Sequence, residues 1–140
     1  MRDFKFRVWN TFEEEMSYNV LVNNNLIIFN YDIEYEGCFN ASVVAAHFVV
    51  FDEIYRKHFK IMQYTGIKDR HGQEIYEGDI VRDKYNKIGY VSFLKQELGF
   101  CVVYKNFDCR LGHRNTGSCY DIDTNIEVIG NIYINKELIE

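Results

Sequence analysis

Proline is absent from this 140-residue chain, so its turns have to be made with Gly, Asn and Asp. No apolar run approaches the roughly 20 residues that a bilayer-crossing helix needs. The first nine residues alternate charged and aromatic side chains rather than placing a basic start before an apolar stretch, so no leader is expected. These absences point to a cytoplasmic protein without a membrane partner. Cysteine is sparse, at Cys38, Cys101, Cys109 and Cys119, and the irregular spacing in a chain of that kind predicts reduced thiols.

The chemistry-bearing motifs are also missing. Cys101, Cys109, His113 and Cys119 combine the thiolate and imidazole ligands that zinc prefers, but no Cys-x-x-Cys pair supplies the chelating knuckle, and no metal is expected. Cys101, between Phe100 and Val102, reads as a strand residue. Ser17, Ser42, Ser92 and Ser118 have no nucleophile-elbow context. Glu77 with Asp79, and Asp121 with Asp123, are paired carboxylates, yet alternate residues of a strand share a face by chance. His47 and His58 sit among aromatic and aliphatic neighbours as packed side chains, whereas His71 is expected in solvent. Neither enzymatic activity nor a cofactor is expected.

What the chain does have is apolar and aromatic bulk. Hydrophobic residues make up 47% and aromatics 16%, with eleven Phe and eleven Tyr, which excludes a disordered chain and favours strands. In the first strand Phe4, Phe6 and Val8 are expected inside, alternating with Lys5, Arg7 and Trp9. A turn over residues 11–15 leads to a second strand over 16–22. Asn23, Asn24 and Asn25 make a turn that tolerates left-handed geometry, and residues 26–35 form a third strand. Residues 37–40 break the pattern. Residues 42–51 fit either a short helix capped by Ser42 or a buried strand, with strand slightly favoured by Val43, Val44, Val49 and Val50.

The densest signal is residues 61–81, IMQYTGIKDRHGQEIYEGDIV. Gly66, Gly72 and Gly78 recur every six residues and predict backbone at positive φ. Lys68, Asp69, Arg70 and His71 form a polar run outside the core that reads as a hairpin tip. Residues 73–76 make a short strand, and Asp79 is placed to pin the next strand by accepting local backbone N–H bonds. Strands over 79–83, 88–94 and 100–104 follow, separated by a turn at Tyr85, Asn86 and Lys87 and a turn ending at Gly99. A polar loop over 105–118 and strands over 120–123 and 126–132 close the set. Strand spacing of roughly 8–12 residues is that of a sandwich or barrel.

Several blocks carry a resemblance. Gln63, Tyr64, Thr65, Gly66, Lys68, Asp69 and Gly72, with the run EIYEGDIV over 74–81, the opening FKFRVW over 4–9 and the closing EVIGNIY over 127–133, resemble the YopX family of phage and prophage proteins. They occur in the family's order and span almost the whole chain. The resemblance implies a mainly β chain of phage origin: an N-terminal β subdomain over 1–59 packed with a C-terminal SH3-like small β-barrel over 60–140. It brings no functional residues, and Gln63, Tyr64, Thr65, Gly66, Gly72, Gly78 and Asp79 are read as structural, since turn chemistry accounts for the glycines and Asp79.

Charge is divided along the chain. Residues 1–53 hold 3 Lys/Arg against 9 Asp/Glu, and residues 54–114 hold 12 against 7, so a net −6 is followed by +5 within an overall −5. The basic stretch includes Lys68, Arg70, Arg82, Lys84 and Lys87, with Tyr85 among them, a candidate surface for a phosphate backbone and stacked bases. No dense Lys/Arg cluster appears. The expected role is therefore a protein-interaction or self-assembling module acting on an unknown protein partner or a second copy, and the alternative is a nucleic-acid-binding barrel.

Overall fold

The computed structural model describes residues 3–22, 26–32, 44–50, 57–105, 108–110 and 125–140. The fold is mainly β, and the chain divides into two compact units, Lys5–Met62 and Gln63–Glu140, the latter grouped with Met1–Phe4.

In the first unit β1 (Phe6–Asn10), β2 (Glu15–Val22), β3 (Leu26–Asp32) and β4 (Val44–Val50) form an antiparallel series. The first half of β5 (Phe59–Lys68) lies beside β1. Val8, Val20 and Ile27 make the core, with Phe6, Val22, Phe59 and Ile61 against it. The segment that fitted helix or strand is the strand β4, as β-branched residues favour. Two expectations for β1 fail. Phe4 precedes the strand and is 71% exposed, while Arg7 is 5% exposed. The pairing explains why strict alternation breaks down: Phe6 faces Val20 but Val8 faces Ser17, so two residues of β1 span three of β2, and a bulge re-aims the side chains around it. His58 is a packed histidine, its ring centroid 4.0 Å from that of Phe12 and its Nδ1 3.2 Å from Thr11 Oγ1.

The second unit holds the rest of β5 paired with β6 (Glu74–Tyr76). It also holds β7 (Asp79–Asp83), β8 (Ile88–Leu94), β9 (Gly99–Tyr104), β10 (Asp108–Arg110) and β11 (Ile126–Asn131), in the order β10-β9-β8-β7-β11. Ile75, Val81, Val91, Phe100 and Val102 form its core, with Ile67, Tyr104, Ile126 and Val128 packed against it. Consecutive residues Ile80 and Val81 of β7 are both fully buried, so this strand is covered on both faces. The loop expected over 105–118 contains the strand β10, which gains its ladder from β9 by pairing Cys109 with Val102. The expected turn over 23–25, the end of the third strand at 33–35, the break at 37–40 and the strand over 120–123 lie outside the described residues.

The three glycines have φ of +86°, +83° and +81° at Gly66, Gly72 and Gly78, as their spacing predicts. Gly66 nevertheless lies within β5, where Tyr64 to Lys68 faces only Tyr76 to Glu74, so it serves a bulge rather than a chain reversal. Gly89 is constrained by space, because a Cβ there would sit 2.7 Å from the Val103 carbonyl oxygen and 2.8 Å from Val102 Cγ1. Gly89→Ala should therefore cost about 1–3 kcal/mol, read as a lower urea midpoint at unchanged slope. An unchanged midpoint would show that β8 and β9 are not packed this closely.

Candidate functional site

The site is assembled by two carboxylates. Asp69 stands at the end of β5 and is 6% exposed, against the expectation that the whole polar run lies outside the core. Burial is tolerated because the carboxylate is consumed by the backbone. Its Oδ1 accepts N–H bonds from His71 at 2.8 Å and Gln73 at 2.9 Å, and its Oδ2 accepts one from Val128 of β11 at 3.0 Å. Arg70 N–H adds a bond to the Ile126 carbonyl at 3.0 Å. The turn over 69–73 is thereby fastened to β11. Burial alone would raise the Asp69 pKa, but the bonds from Val128, Gln73 and His71 together bring it below its ordinary 3.8.

The second carboxylate is Glu127, directly opposite Arg82 in the β11–β7 ladder. Arg82 donates from Nε to Oε1 at 2.6 Å and also from Nη2, while Arg70 Nη2 donates to Oε2. His71 Nε2 lies 3.3 Å from the same oxygen. The Glu127 side chain is 10% exposed, whereas those of Arg70, Arg82 and His71 are 41%, 44% and 66% exposed. The Arg82 bonds, then the Arg70 bond, lower the Glu127 pKa from 4.5 to about 2.

Next to this cluster, the β7–β8 hairpin turns over Lys84, Tyr85 and Asn86. Asp83 Oδ1 caps the turn by accepting N–H bonds from Tyr85 at 2.8 Å and Lys87 at 2.9 Å. Asn86 takes the left-handed conformation at φ 62°, which asparagine tolerates. Lys84, Tyr85 and Lys87 are exposed, and Lys84 Nζ lies 4.9 Å from the Tyr85 ring centroid.

Of the candidate surface residues, Arg70 and Arg82 meet on Glu127, and Lys84, Tyr85 and Lys87 share one hairpin tip. Lys68 is exposed at the end of β5, opposite Glu74. The motif residues are knitted into the frame. The Gln63 carbonyl accepts Glu77 N–H at 2.9 Å, and the Tyr64 ring packs 5.4 Å from that of Tyr76. Thr65 Oγ1 donates to the Ile75 carbonyl at 2.8 Å, and Gly78 N–H donates to the Val91 carbonyl at 2.8 Å. Asp79, 1% exposed, accepts Tyr76 N–H at 2.8 Å. Sequence reasoning missed Glu127 as the partner of both arginines. The available signal was its place as the single charged residue of the strand Ile126–Asn131.

Among the described residues no group of three or more His, Cys, Asp or Glu is placed to hold a metal ion, and no helix is long and apolar enough to cross a membrane. Cys101 is buried in β9, its thiol donating to the Gly99 carbonyl at 3.9 Å. The side chains of Cys38, Cys109, His113 and Cys119 lie outside the described residues.

The family model described as YopX protein matches residues 5–140. The chain belongs to the YopX family. Protein EF1440 from Enterococcus faecalis is similar in structure, with a TM-score of 0.58 at 26% identity over 100% of both chains. The yopX protein of Bacillus subtilis shares the fold, with a TM-score of 0.58 at 24% identity over 97% of this chain and 98% of that one. No curated protein matches the chain. Both site carboxylates lie within the matched residues, Asp69 in the middle block of the sequence resemblance and Glu127 in the closing one.

The lowered Glu127 pKa fixes a pH dependence. A depressed carboxylate contributes stability that is fully present above its unfolded value of 4.5 and is lost as pH falls through about 2. Thermal melts across that window should show a steeper acid decline for the native chain than for Glu127→Gln, which should also melt lower at neutral pH. Parallel curves would remove Glu127 from the account.

Proposed function

We propose that the chain is an accessory protein of phage or prophage origin that acts by binding rather than catalysis. Residues 60–140 then form a small SH3-like barrel that serves as a protein-interaction or self-assembling module in the cytoplasm. The antiparallel order β10-β9-β8-β7-β11 and the burial of both faces of β7 support the barrel. The family resemblance supports the phage origin, and a gene lying far from any phage or prophage genes would count against it.

One residue carries the binding reading. The β8–β9 hairpin ends in a short 3₁₀ turn, Lys95–Glu97, after which Leu98 adopts the left-handed conformation at φ 48° with its side chain 82% exposed. A leucine there costs backbone energy that glycine would avoid and leaves its apolar side chain in water. A residue unfavourable on both counts is explained if a protein surface covers it. Phe93, 44% exposed near the same hairpin end, extends the apolar surface.

Leu98→Gly separates a structural role from a binding one. It should raise stability by about 0.5–1 kcal/mol, since relief of the left-handed strain exceeds the added chain entropy. It should also abolish association. Light scattering over rising concentration should show the native mass climbing above the 16.7 kDa of one chain, while Leu98→Gly stays monomeric. A native chain that remains monomeric and retains no protein from cells carrying the phage would contradict the reading.

A further inference from the structure

Successive hairpins of an antiparallel meander turn at opposite ends of the sheet, so the Asp83–Lys87 tip lies at the other end from Leu98. The 69–73 turn joins that tip, because Arg70 N–H bonds to Ile126 and Ile126 pairs with Asp83. The charges here are sorted by depth. Asp69 is buried and filled by backbone N–H groups, Asp83 caps its own turn, and Glu127 lies beneath two guanidiniums. The cations of Arg70, Arg82, Lys84 and Lys87 face solvent. The outer layer is thus positive although the whole chain carries −5. Tyr85 stands in its midst, 70% exposed on a turn held by four hydrogen bonds.

We propose that this end of the sheet binds single-stranded nucleic acid, with a base stacked on the Tyr85 ring and phosphates met by Lys84 and Lys87. Lys84 covers one face of the ring at 4.9 Å; the ring's high exposure leaves the other face open to a base, which would then stack on a ring already engaged by a cation. Arg82 and Arg70 flank the tip and keep guanidinium N–H donors beyond those spent on Glu127, enough for further phosphate oxygens. The stable turn presents the ring without an ordering cost. An acidic peptide would use the cations alone and leave the ring without a role. This surface is distinct from the apolar tip at Leu98, and neither reading depends on the other.

The test is fluorescence anisotropy of a labelled oligodeoxythymidylate with the full chain in low and high salt. Affinity should fall as salt rises, with a slope of about −0.7 for each phosphate contacted. Lys84→Ala with Lys87→Ala should shrink that slope by about 1.4. Tyr85→Ala should weaken binding about tenfold or more, while Tyr85→Phe, which keeps the π face, should retain it. All three substituted side chains are exposed, so circular dichroism should show the fold unchanged. Absence of binding at low salt, equal binding of polyglutamate, tighter binding of duplex than of single strand, or an unaffected Tyr85→Ala would each overturn the proposal.

Discussion

The arrangement of the second unit depends on burying two carboxylates against β11. Asp69 satisfies three backbone N–H groups, one of them on β11 itself, and Glu127 gathers two arginines from separate strands and turns. A buried carboxylate is costly unless its oxygens are filled, so each can exist only with its partners in place. That requirement locks the 69–73 turn onto the sheet. It also sets the direction of the charges, with acids inside and cations outside, and a net-acidic chain acquires a local basic surface.

The sheet therefore presents two unlike ends. One carries an exposed leucine at an unfavourable backbone angle, and the other carries a tyrosine among lysines and arginines. The two binding proposals rest on this difference in chemistry between the ends. Gly66, Gly78, Thr65 and Asp79 are each tied into the frame by a bulge or a hydrogen bond.

Local chemistry was legible in the residues, and non-local pairing was not. Glycines every six residues foretold positive φ at all three positions, and Asp79 foretold its own bond to a nearby backbone N–H. The strands of 79–94 were visible because turn residues bound each of them and because β8 alternates buried with more exposed residues. Gly66 was misplaced, since a bulge and a turn ask the same φ of glycine and differ only in which strand lies opposite. Arg7 was turned outward by a period-two rule that the β1–β2 bulge interrupts. β10 was hidden because the short run Asp108, Cys109 and Arg110 becomes a strand only when β9 offers an edge. Asp69 looked solvated in a polar run because Val128, which it joins on β11, lies 59 residues away, and Glu127 looked like one acid among many because Arg82 and Arg70 lie 45 and 57 residues from it.

The charge layering of the second unit requires Glu127 to be held ionised beneath Arg70 and Arg82. Carbon-detected NMR titration of the side-chain carboxyls measures this directly. A Glu127 midpoint near 2, rising toward the ordinary value when Arg82 is replaced by Met, is the predicted result; a midpoint at 4.5 in the native chain would contradict it.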